Sequence, residues 1–182
     1  MKFTKTDIKG AFIADPVIHG DSRGYFMESF SERSLQEVVD NVHFVQDNES
    51  LSSYGVLRGL HYQKGDAAQA KIVRVIRGRV LDVAVDMRKS SPSFLRYIMV
   101  ELSGENHRQL YIPRGCAHGF LVLSPDALFQ YKVDNAYCPE AEASVRFDDP
   151  RIGITWPEIE GELKLSEKDL KAPYLNSCYL FE

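Results

Sequence analysis

Cysteine and long apolar runs are scarce in this chain of 182 residues, and their scarcity excludes several classes of protein. The three cysteines, Cys116, Cys138 and Cys178, are an odd number at wide spacing, so they predict neither a disulfide framework nor a zinc site. No apolar run approaches the length of a membrane span, and the first residues lack the apolar core of a signal peptide. We therefore expect a cytoplasmic protein that does not bind a membrane.

An excess of positive charge is also missing. The 22 Lys and Arg residues face 26 Asp and Glu residues, so the formal net charge of −4 provides no general field for binding nucleic acid. The chain has no Walker loop and no GxGxxG motif, so a phosphate-bearing ligand must be held by side chains. Repeats and linker-like stretches are absent as well, which predicts a single domain over residues 1–182.

Short apolar segments separated by turn residues dominate the middle of the chain. The predicted strands cover residues 72–76, 80–85, 97–102, 110–112, 120–123 and 128–133. The first two flank Arg77-Gly78-Arg79 and are expected to form a hairpin. Two helices are predicted at the margins, one over residues 31–42 with a capping box at Ser34-x-x-Glu37, and one that starts at Ser166. This spacing is typical of a mainly β sandwich or jelly roll with a few short flanking helices.

Two histidine-containing segments resemble motifs of the cupin superfamily. Gly55 is followed by five residues and His61, and Pro113-x-Gly-x-x-His118 fits the second motif. However, Gln63 stands where the second metal histidine would be, and Lys71 stands where the metal glutamate would be. A cation in a ligand position argues against a divalent metal ion. The sequence thus predicts a cupin-type jelly roll that uses neither metal nor other cofactor and carries out acid–base chemistry.

A more specific resemblance covers nearly the whole chain in order. It rests on His19-Gly-Asp-Ser-Arg23-Gly-Tyr-Phe26-x-Glu28, Gln46-Asp-Asn48, Arg58-Gly-Leu-His61-Tyr-Gln63, Gln69-Ala-Lys71, Arg77-Gly78-x-Val80-x-Asp82, Ile112-Pro-x-Gly-x-Ala-His118, Tyr131-Lys132, Tyr137-x-Pro139-Glu140-x-Glu142 and Ser166-x-Lys168-Asp169. These collinear segments resemble the dTDP-4-dehydrorhamnose 3,5-epimerase family. The resemblance implies a homodimer without a cofactor. Its substrate would be a dTDP-linked 4-keto-6-deoxy sugar, inverted at C3 and C5 on the way to dTDP-L-rhamnose.

Such a reaction needs a base, an acid and a group that stabilises an enolate, because both carbons lie next to the C4 ketone. His61 is the candidate base, since the pKa of histidine lies near working pH. By resemblance Tyr131 is the acid on the opposite face. Lys71 and His118 are interpreted as electrostatic stabilisers of the enolate oxygen. The alternative roles are structural: a core histidine, a packed strand tyrosine and a lysine at a strand end.

A base in this position needs a group that orients it. Asp169 resembles the carboxylate of the family that binds the second nitrogen of His61 and stabilises the imidazolium. Asp169 could equally be a helix-start residue favoured by the helix dipole. Asp82 and Asp86, two residues on one face of a predicted strand, are the other candidates to orient His61.

Binding of the nucleotide is assigned to a set of polar and aromatic side chains. Arg23 and Arg58 are candidates for the pyrophosphate because a guanidinium can bind phosphate in a bidentate manner. By resemblance Lys168 joins them, and Tyr137 stacks on the thymine. The remaining matches to the family's ligand contacts are Phe26, Glu28, Gln46, Asn48 and Glu142, of which Phe26 and Glu28 are expected to serve the site of a second subunit.

Three other functions stay open at this point. An epimerase acting on one carbon, or a ketoisomerase, would use the same base and nucleotide site, although Tyr131 favours double epimerisation because it matches the acid of the family. A metal-dependent cupin such as a dioxygenase is disfavoured by Gln63 and Lys71. A cupin that only binds a ligand is disfavoured by the presence of His61, Tyr131 and Asp169 together.

Overall fold

The computed structural model of the chain describes residues 1–182 and contains thirteen β-strands and two short α-helices. In chain order the strands are β1 (Lys2–Lys5), β2 (Phe12–Asp15), β3 (Ile18–Asp21), β4 (Gly24–Met27), β5 (Gln46–Ser53), β6 (Leu57–Gln63), β7 (Lys71–Arg77), β8 (Arg79–Asp86), β9 (Tyr97–Ser103), β10 (Gln109–Ile112), β11 (Cys116–Val122), β12 (Asp126–Val133) and β13 (Glu142–Ser144). The helices are α1 (Glu32–Leu35) and α2 (Glu167–Leu170). Neither helix is long and apolar enough to cross a membrane.

The strands form two antiparallel sheets and a separate hairpin. The six-stranded sheet has the order β1-β2-β10-β7-β12-β5, and the five-stranded sheet has the order β13-β6-β11-β8-β9. Strands β3 and β4 pair only with each other. This architecture confirms the mainly β, cupin-type jelly roll with short flanking helices that the sequence predicted.

The main hydrophobic core lies between the two sheets and contains sixteen buried residues. Phe120 on β11 and Phe129 on β12 stack at its centre, with ring centroids 4.3 Å apart. Both rings also line the cavity described below. The apolar core therefore forms one wall of that cavity, and the polar residues of the cavity lie next to tightly packed side chains.

The segment that follows β13 covers the outer face of the five-stranded sheet. Tyr62 on β6 donates its hydroxyl hydrogen to the Tyr179 carbonyl at 2.6 Å, and the Phe181 amide donates to the Met87 carbonyl at 3.0 Å. A second cluster of nine buried residues fills the space between this segment and the sheet. This path returns the chain to β6, where α2 contacts the strand that carries His61.

The predicted hairpin of β7 and β8 is wrong. The two strands lie in different sheets, with β7 between β10 and β12 and β8 between β11 and β9. Gly78 joins them with a φ of +82°, and a Cβ at this position would overlap the Asp126 carbonyl oxygen. The glycine is thus required for a crossing between sheets, which a turn pattern alone does not distinguish from a hairpin.

The predicted helix over residues 31–42 is wrong in its length. Only Glu32–Leu35 is helical, and Ser31, rather than Ser34, is the N-cap. β-branched valines follow, and Asn41 adopts a positive φ of 56°, so helix propensity falls where the pattern of apolar residues continues. Leu35 and Val42 are nevertheless buried, in a third cluster that also contains Ala70 and Tyr111. The second helix does begin after Ser166, as predicted.

Candidate active site

A cavity of about 340 Å³ opens between the sheets. Eight residues predicted for the site line it: Asn48, Arg58, His61, Lys71, His118, Tyr131, Tyr137 and Glu142. The others in the lining are Glu49, Ser50, Tyr62, Gln63, Gln69, Gly119, Phe120 and Phe129. Strands from both sheets therefore contribute, and the lining residues come from six segments of the sequence, 48–50, 58–63, 69–71, 118–120, 129–131 and 137–142.

His61 faces His118 across the antiparallel pair of β6 and β11. The strands approach closely next to the two histidines, because Gly59 and Gly119 lie against each other. A Cβ on Gly59, whose φ is +133°, would be only 2.6 Å from the Cα of Gly119. The register shifts between His118 and Phe120, which is where a bulge redirects side chains. Glycine at these two positions thus allows both imidazoles to reach the cavity.

Asp169 is hydrogen-bonded to His61. The His61 Nε2 atom is 2.5 Å from Asp169 Oδ1, and the carboxylate side chain is 4% exposed whereas the imidazole is 32% exposed. The other carboxylate oxygen, Oδ2, accepts a hydrogen bond from the Ser166 hydroxyl at 2.7 Å. Burial acts to raise the pKa of the Asp169 carboxyl, but the hydrogen bonds from His61 and Ser166 hold that pKa below its usual value. Asp169 is therefore an anion whose hydrogen bond holds the imidazole in one orientation.

The helix-start role of Asp169 holds at the same time. Its backbone amide donates to the Ser166 hydroxyl at 3.1 Å, as expected when serine caps a helix. One short helix thus positions both the carboxylate and the serine that bonds it. The two interpretations of Asp169 made from the sequence are compatible, because the cap places the side chain.

The alternative carboxylates contact other partners. Asp82 lies 2.9 and 3.0 Å from Nε2 of His118, and both side chains are buried. Asp86 accepts hydrogen bonds from Arg88, Ser91 and Ser93 at 2.5–2.8 Å. Neither orients His61. Asp82 instead forms a second carboxylate–imidazole pair that the sequence interpretation had not assigned to His118.

Lys71 and Tyr131 are neighbours on adjacent strands of the six-stranded sheet. The Lys71 Nζ atom lies 5.8 Å from the centroid of the Tyr131 ring. Burial lowers the pKa of the Lys71 ammonium to about 8, although Asp82 acts in the opposite direction. Burial raises the pKa of the Tyr131 hydroxyl, and Arg58 offsets part of this effect. At neutral pH the lysine is therefore mainly a cation and the tyrosine carries its proton.

The polar residues assigned to the nucleotide lie at the rim. Glu142 forms a salt bridge with Lys168, which itself does not line the cavity, and accepts a hydrogen bond from Tyr137 at 3.3 Å. The Lys168 ammonium lowers the pKa of the Glu142 carboxyl. Gln46 also lies outside the lining but donates to Asn48 at 2.7 Å. These contacts connect each of the two outlying residues to a residue of the cavity.

Three predicted residues are not brought to the cavity by this chain. Arg23 and Phe26 lie on the β3–β4 hairpin and Glu28 follows it, and none of them is in the cavity lining. Arg23 pairs with Asp21 at 2.6 Å, and Phe26 is 71% exposed. A second subunit was expected to receive Phe26 and Glu28, and that expectation stays a prediction, whereas Arg23 was expected to bind the pyrophosphate and does not reach the cavity of its own chain.

Several residues of the site were not recognised as such in the sequence. Ser166 was interpreted only as a helix start, and Gln63 only as an absent metal ligand. The Gln63 amide is instead bonded on both sides to the backbone of Cys138, at 3.0 and 2.8 Å. With this amide occupied and Lys71 in the glutamate position, the side chains do not form the ligand set of a metal-dependent cupin. Gln69 lay in the segment Gln69-Ala-Lys71 but received no role, and Phe129 lay in a predicted strand without a motif.

Comparison with known proteins identifies the family to which the chain is similar. The dTDP-4-dehydrorhamnose 3,5-epimerase family matches residues 5–177 of the chain. The dTDP-4-dehydrorhamnose 3,5-epimerase of Methanothermobacter thermautotrophicus is 51% identical over 169 residues, which are 92% of this chain and 91% of the relative.

Solved structures agree over the same length. The dTDP-4-dehydrorhamnose 3,5-epimerase of Elizabethkingia anophelis NUHP1 superposes with a TM-score of 0.94 at 51% identity, covering 98% of this chain and 99% of that one. The dTDP-6-deoxy-D-glucose-3,5-epimerase of Legionella pneumophila, in complex with dTDP-4-keto-L-rhamnose, has a TM-score of 0.92 at 48% identity, covering 97% and 93%. The chain therefore belongs to the dTDP-4-dehydrorhamnose 3,5-epimerase family and is an isomerase that acts on dTDP-sugars.

Proposed function

We propose that the enzyme inverts C3 and C5 of dTDP-4-dehydro-6-deoxy-D-glucose, in dTDP-L-rhamnose biosynthesis, through enolates formed next to the C4 ketone. The observation that carries this proposal is the cavity in which His61, oriented by Asp169, lies together with Tyr131 and Lys71. The relatives named as 3,5-epimerases support the choice of substrate. Since the three unpaired cysteines are compatible with a reducing compartment, we place the reaction in the cytoplasm.

His61 removes the proton from the carbon next to the ketone in this mechanism. One ring nitrogen is bonded to Asp169, which leaves the other available to accept a proton. The carboxylate then stabilises the imidazolium, as in a catalytic triad. The proton passes from C3 or C5 to His61, and the electron pair of the broken bond moves to the C4 oxygen.

Tyr131 returns a proton to the opposite face, which completes the inversion. Its raised pKa keeps the hydroxyl protonated at neutral pH, so that it is available as a donor. Lys71 stabilises the negative charge on the C4 oxygen, and it favours the tyrosinate that remains after transfer. His118, held by Asp82, is assigned to the same oxygen. Exchange with water restores the tyrosine and the histidine between the two inversions.

The nucleotide is held at the rim of the cavity. Tyr137, which is 52% exposed, stacks on the thymine. Arg58 and Lys168 bind the pyrophosphate, and the polar groups of Gln46, Asn48 and Glu142 contact the nucleotide and the sugar. In a homodimer the β3–β4 hairpin of a second copy adds Arg23, Phe26 and Glu28. Exposed apolar side chains on and next to this hairpin, including Val17 and Tyr25, support such a contact.

Isotope exchange tests the proposed reaction. The enzyme is incubated with dTDP-4-dehydro-6-deoxyglucose in deuterated water, and C3 and C5 are followed by NMR. Deuterium at both carbons, with inversion of both, is the expected result. Deuterium at one carbon alone would instead identify an epimerase that acts on a single carbon. Absence of exchange at both carbons by a folded enzyme would overturn the acid–base mechanism.

Replacing Tyr131 with phenylalanine is expected to separate exchange from inversion. The base can still remove a proton and return deuterium to the same face, so exchange should fall by no more than about tenfold. Inversion needs the donor on the other face and should fall by about 10²–10³-fold. The same NMR experiment measures both rates. An equal loss of exchange and inversion would contradict the assignment of Tyr131 as the acid.

Replacing Asp169 with asparagine is expected to lower kcat by about 10²-fold, less than the loss of the base itself. The amide cannot stabilise the imidazolium, and it disturbs the orientation of the ring. The Kd of dTDP distinguishes this effect from a structural one, because it should stay within about threefold of the wild type while kcat falls. Unchanged kcat in the folded variant would show that Asp169 serves only as a helix-start residue.

A further inference from the structure

The loop between β12 and β13 carries Tyr137 at the rim of the cavity. It covers residues 134–141 and contains a single short 3₁₀ turn, Pro139–Ala141. The ring itself is 52% exposed, and its hydroxyl makes one hydrogen bond, at 3.3 Å, to Glu142. Contacts of the tyrosine side chain alone therefore do not fix the loop. Its backbone must be held from elsewhere in the chain.

Gln63 supplies a two-point contact to this backbone, here termed the amide clamp. Its Nε2 atom donates to the Cys138 carbonyl at 3.0 Å, and the Cys138 amide donates to its Oε1 atom at 2.8 Å. The side chain thus imitates the paired hydrogen bonds of a neighbouring β-strand. It is 4% exposed, so these two bonds are shielded from water. Cys138 directly follows Tyr137, and the clamp therefore acts one residue away from the ring.

A second contact holds the loop on the other side of Tyr137. Gln69 donates to the Asn135 carbonyl at 2.8 Å, and the Asn135 side chain donates to the Asp66 carbonyl at 2.8 Å. The loop is thus bonded to the β6–β7 region both before and after the tyrosine. Of the two glutamines that hold the loop, Gln63 is the more buried. It lies on the same strand as His61, two residues further along.

We propose that Gln63 is a positioning residue that fixes Tyr137 in the orientation required to stack on the nucleobase, and so sets the affinity for the nucleotide. The inference rests on the proposed function in one respect, the stacking role of Tyr137. It gives a function to the residue that occupies the metal-ligand position of the cupin motif. Strand β6 then carries both the catalytic base, His61, and the residue that holds the nucleotide-binding loop in place, Gln63.

The test compares the wild type with Gln63→Met, Tyr137→Ala and the double variant, with dTDP as the ligand. Calorimetry is expected to show about a tenfold weaker Kd for Gln63→Met, because two hydrogen bonds of the loop are lost. Tyr137→Ala should weaken binding by about 5–100-fold, in the range of base–aromatic stacking. The double variant should bind like Tyr137→Ala alone, since Gln63 acts through that ring. Gln63→Met should lower kcat for deuterium exchange by less than about threefold. General unfolding would not weaken Kd about tenfold while leaving kcat nearly unchanged.

Two further variants protect the test against misfolding. Gln63→Glu keeps the shape of the side chain and the acceptor for the Cys138 amide, but loses the donor, and should weaken dTDP binding in the same direction. Cys138→Ser keeps the clamp, which uses backbone atoms only, and its side chain is not in the cavity lining, so its Kd should match the wild type. Thermal melts identify any variant that is not folded at the assay temperature. Hydrogen exchange of the Cys138 amide in the wild type should be slow, and rapid exchange would overturn the clamp.

The outcomes separate the clamp from the function on which it rests. Wild-type affinity in folded Gln63→Met, combined with weak binding by Tyr137→Ala, would overturn the clamp and leave the stacking role intact. If the Kd of the double variant is weakened by the product of the two single effects, Gln63 acts independently of Tyr137, and the clamp is also overturned. Unchanged affinity in Tyr137→Ala would overturn the stacking role and the inference together. Absence of exchange at C3 and C5 by the wild type would concern the proposed reaction alone.

Discussion

Replacing His61 with asparagine is expected to slow deuterium uptake at C3 and C5 by about 10⁴-fold, at the upper end of the range for acid–base catalysis. Asparagine has a similar shape and can still bond to Asp169, but it cannot accept a proton at neutral pH. Both carbons should be affected equally if one base serves both inversions. NMR in deuterated water measures the two rates separately, and the Kd of dTDP should change by less than about threefold. Retention of more than about 1% of the exchange rate would contradict the role of His61.

Two other histidines provide controls for this variant. His43 is an exposed residue, bonded to Glu32 and outside the cavity lining, so His43→Asn should exchange at the wild-type rate. His118 is 8% exposed whereas His61 is 32% exposed, so the ring of His118 is the less accessible of the two for removing a proton from the substrate. The rate of deuterium exchange in His118→Asn should therefore fall by about 10²-fold, as expected for the removal of one electrostatic contact. A larger loss in His118→Asn than in His61→Asn would reverse the assignment of the two rings.

The sequence indicated which residues gather in the cavity better than it indicated their contacts. His61, His118, Lys71 and Tyr131 lie within short motifs in which the residue type itself indicates the chemistry. Asp169 is separated from His61 by 108 positions, and its contact depends on the path of the C-terminal segment over the five-stranded sheet. No local pattern encodes that path. The resemblance to the family indicated the contact, whereas reasoning from the residues left Asp82 and Asp86 as alternatives.

The errors in the fold have a common physical cause. Strands β7 and β8 were expected to pair because a glycine separates two apolar segments, yet each strand pairs with distant strands of its own sheet. The helix over residues 31–42 was expected from apolar spacing, yet it ends at Leu35, and Val42 is buried by packing outside the helix. In both cases the spacing of apolar residues does not decide the structure, because strand pairing in the first case and helix propensity in the second act against it. The partners of Gln63 were hidden for the same reason, since Cys138 lies 75 positions away.

Replacing Lys71 with methionine is expected to lower kcat by about 10²–10³-fold, the usual loss when one group that stabilises an oxyanion is removed. Methionine fills a similar volume but carries no charge, so negative charge on the C4 oxygen is no longer offset. The wild type should also lose activity as the pH rises through about 8, because the ammonium that acts on the oxygen is then deprotonated. The variant should lack this basic limb. Steady-state kinetics between pH 6 and 10, at roughly half-unit steps, measure both effects.

The same substitution is expected to stabilise the fold. The folded pKa of Lys71, about 8, lies below the value near 10.4 of an unfolded chain, so the folded state binds the proton less well. At neutral pH the partly buried ammonium therefore costs stability, and its removal should raise the free energy of unfolding by about 1–3 kcal/mol, less any loss from its attraction to Asp82. The advantage of the variant should shrink between about pH 8 and 10.4, where the folded protein releases this proton first. Urea unfolding at pH 7 and pH 10 measures the difference. An inactive variant that is less stable than the wild type at pH 7 would show that Lys71 supports the fold. Gain of stability with loss of turnover would show that the cation is kept for the reaction at the expense of the fold.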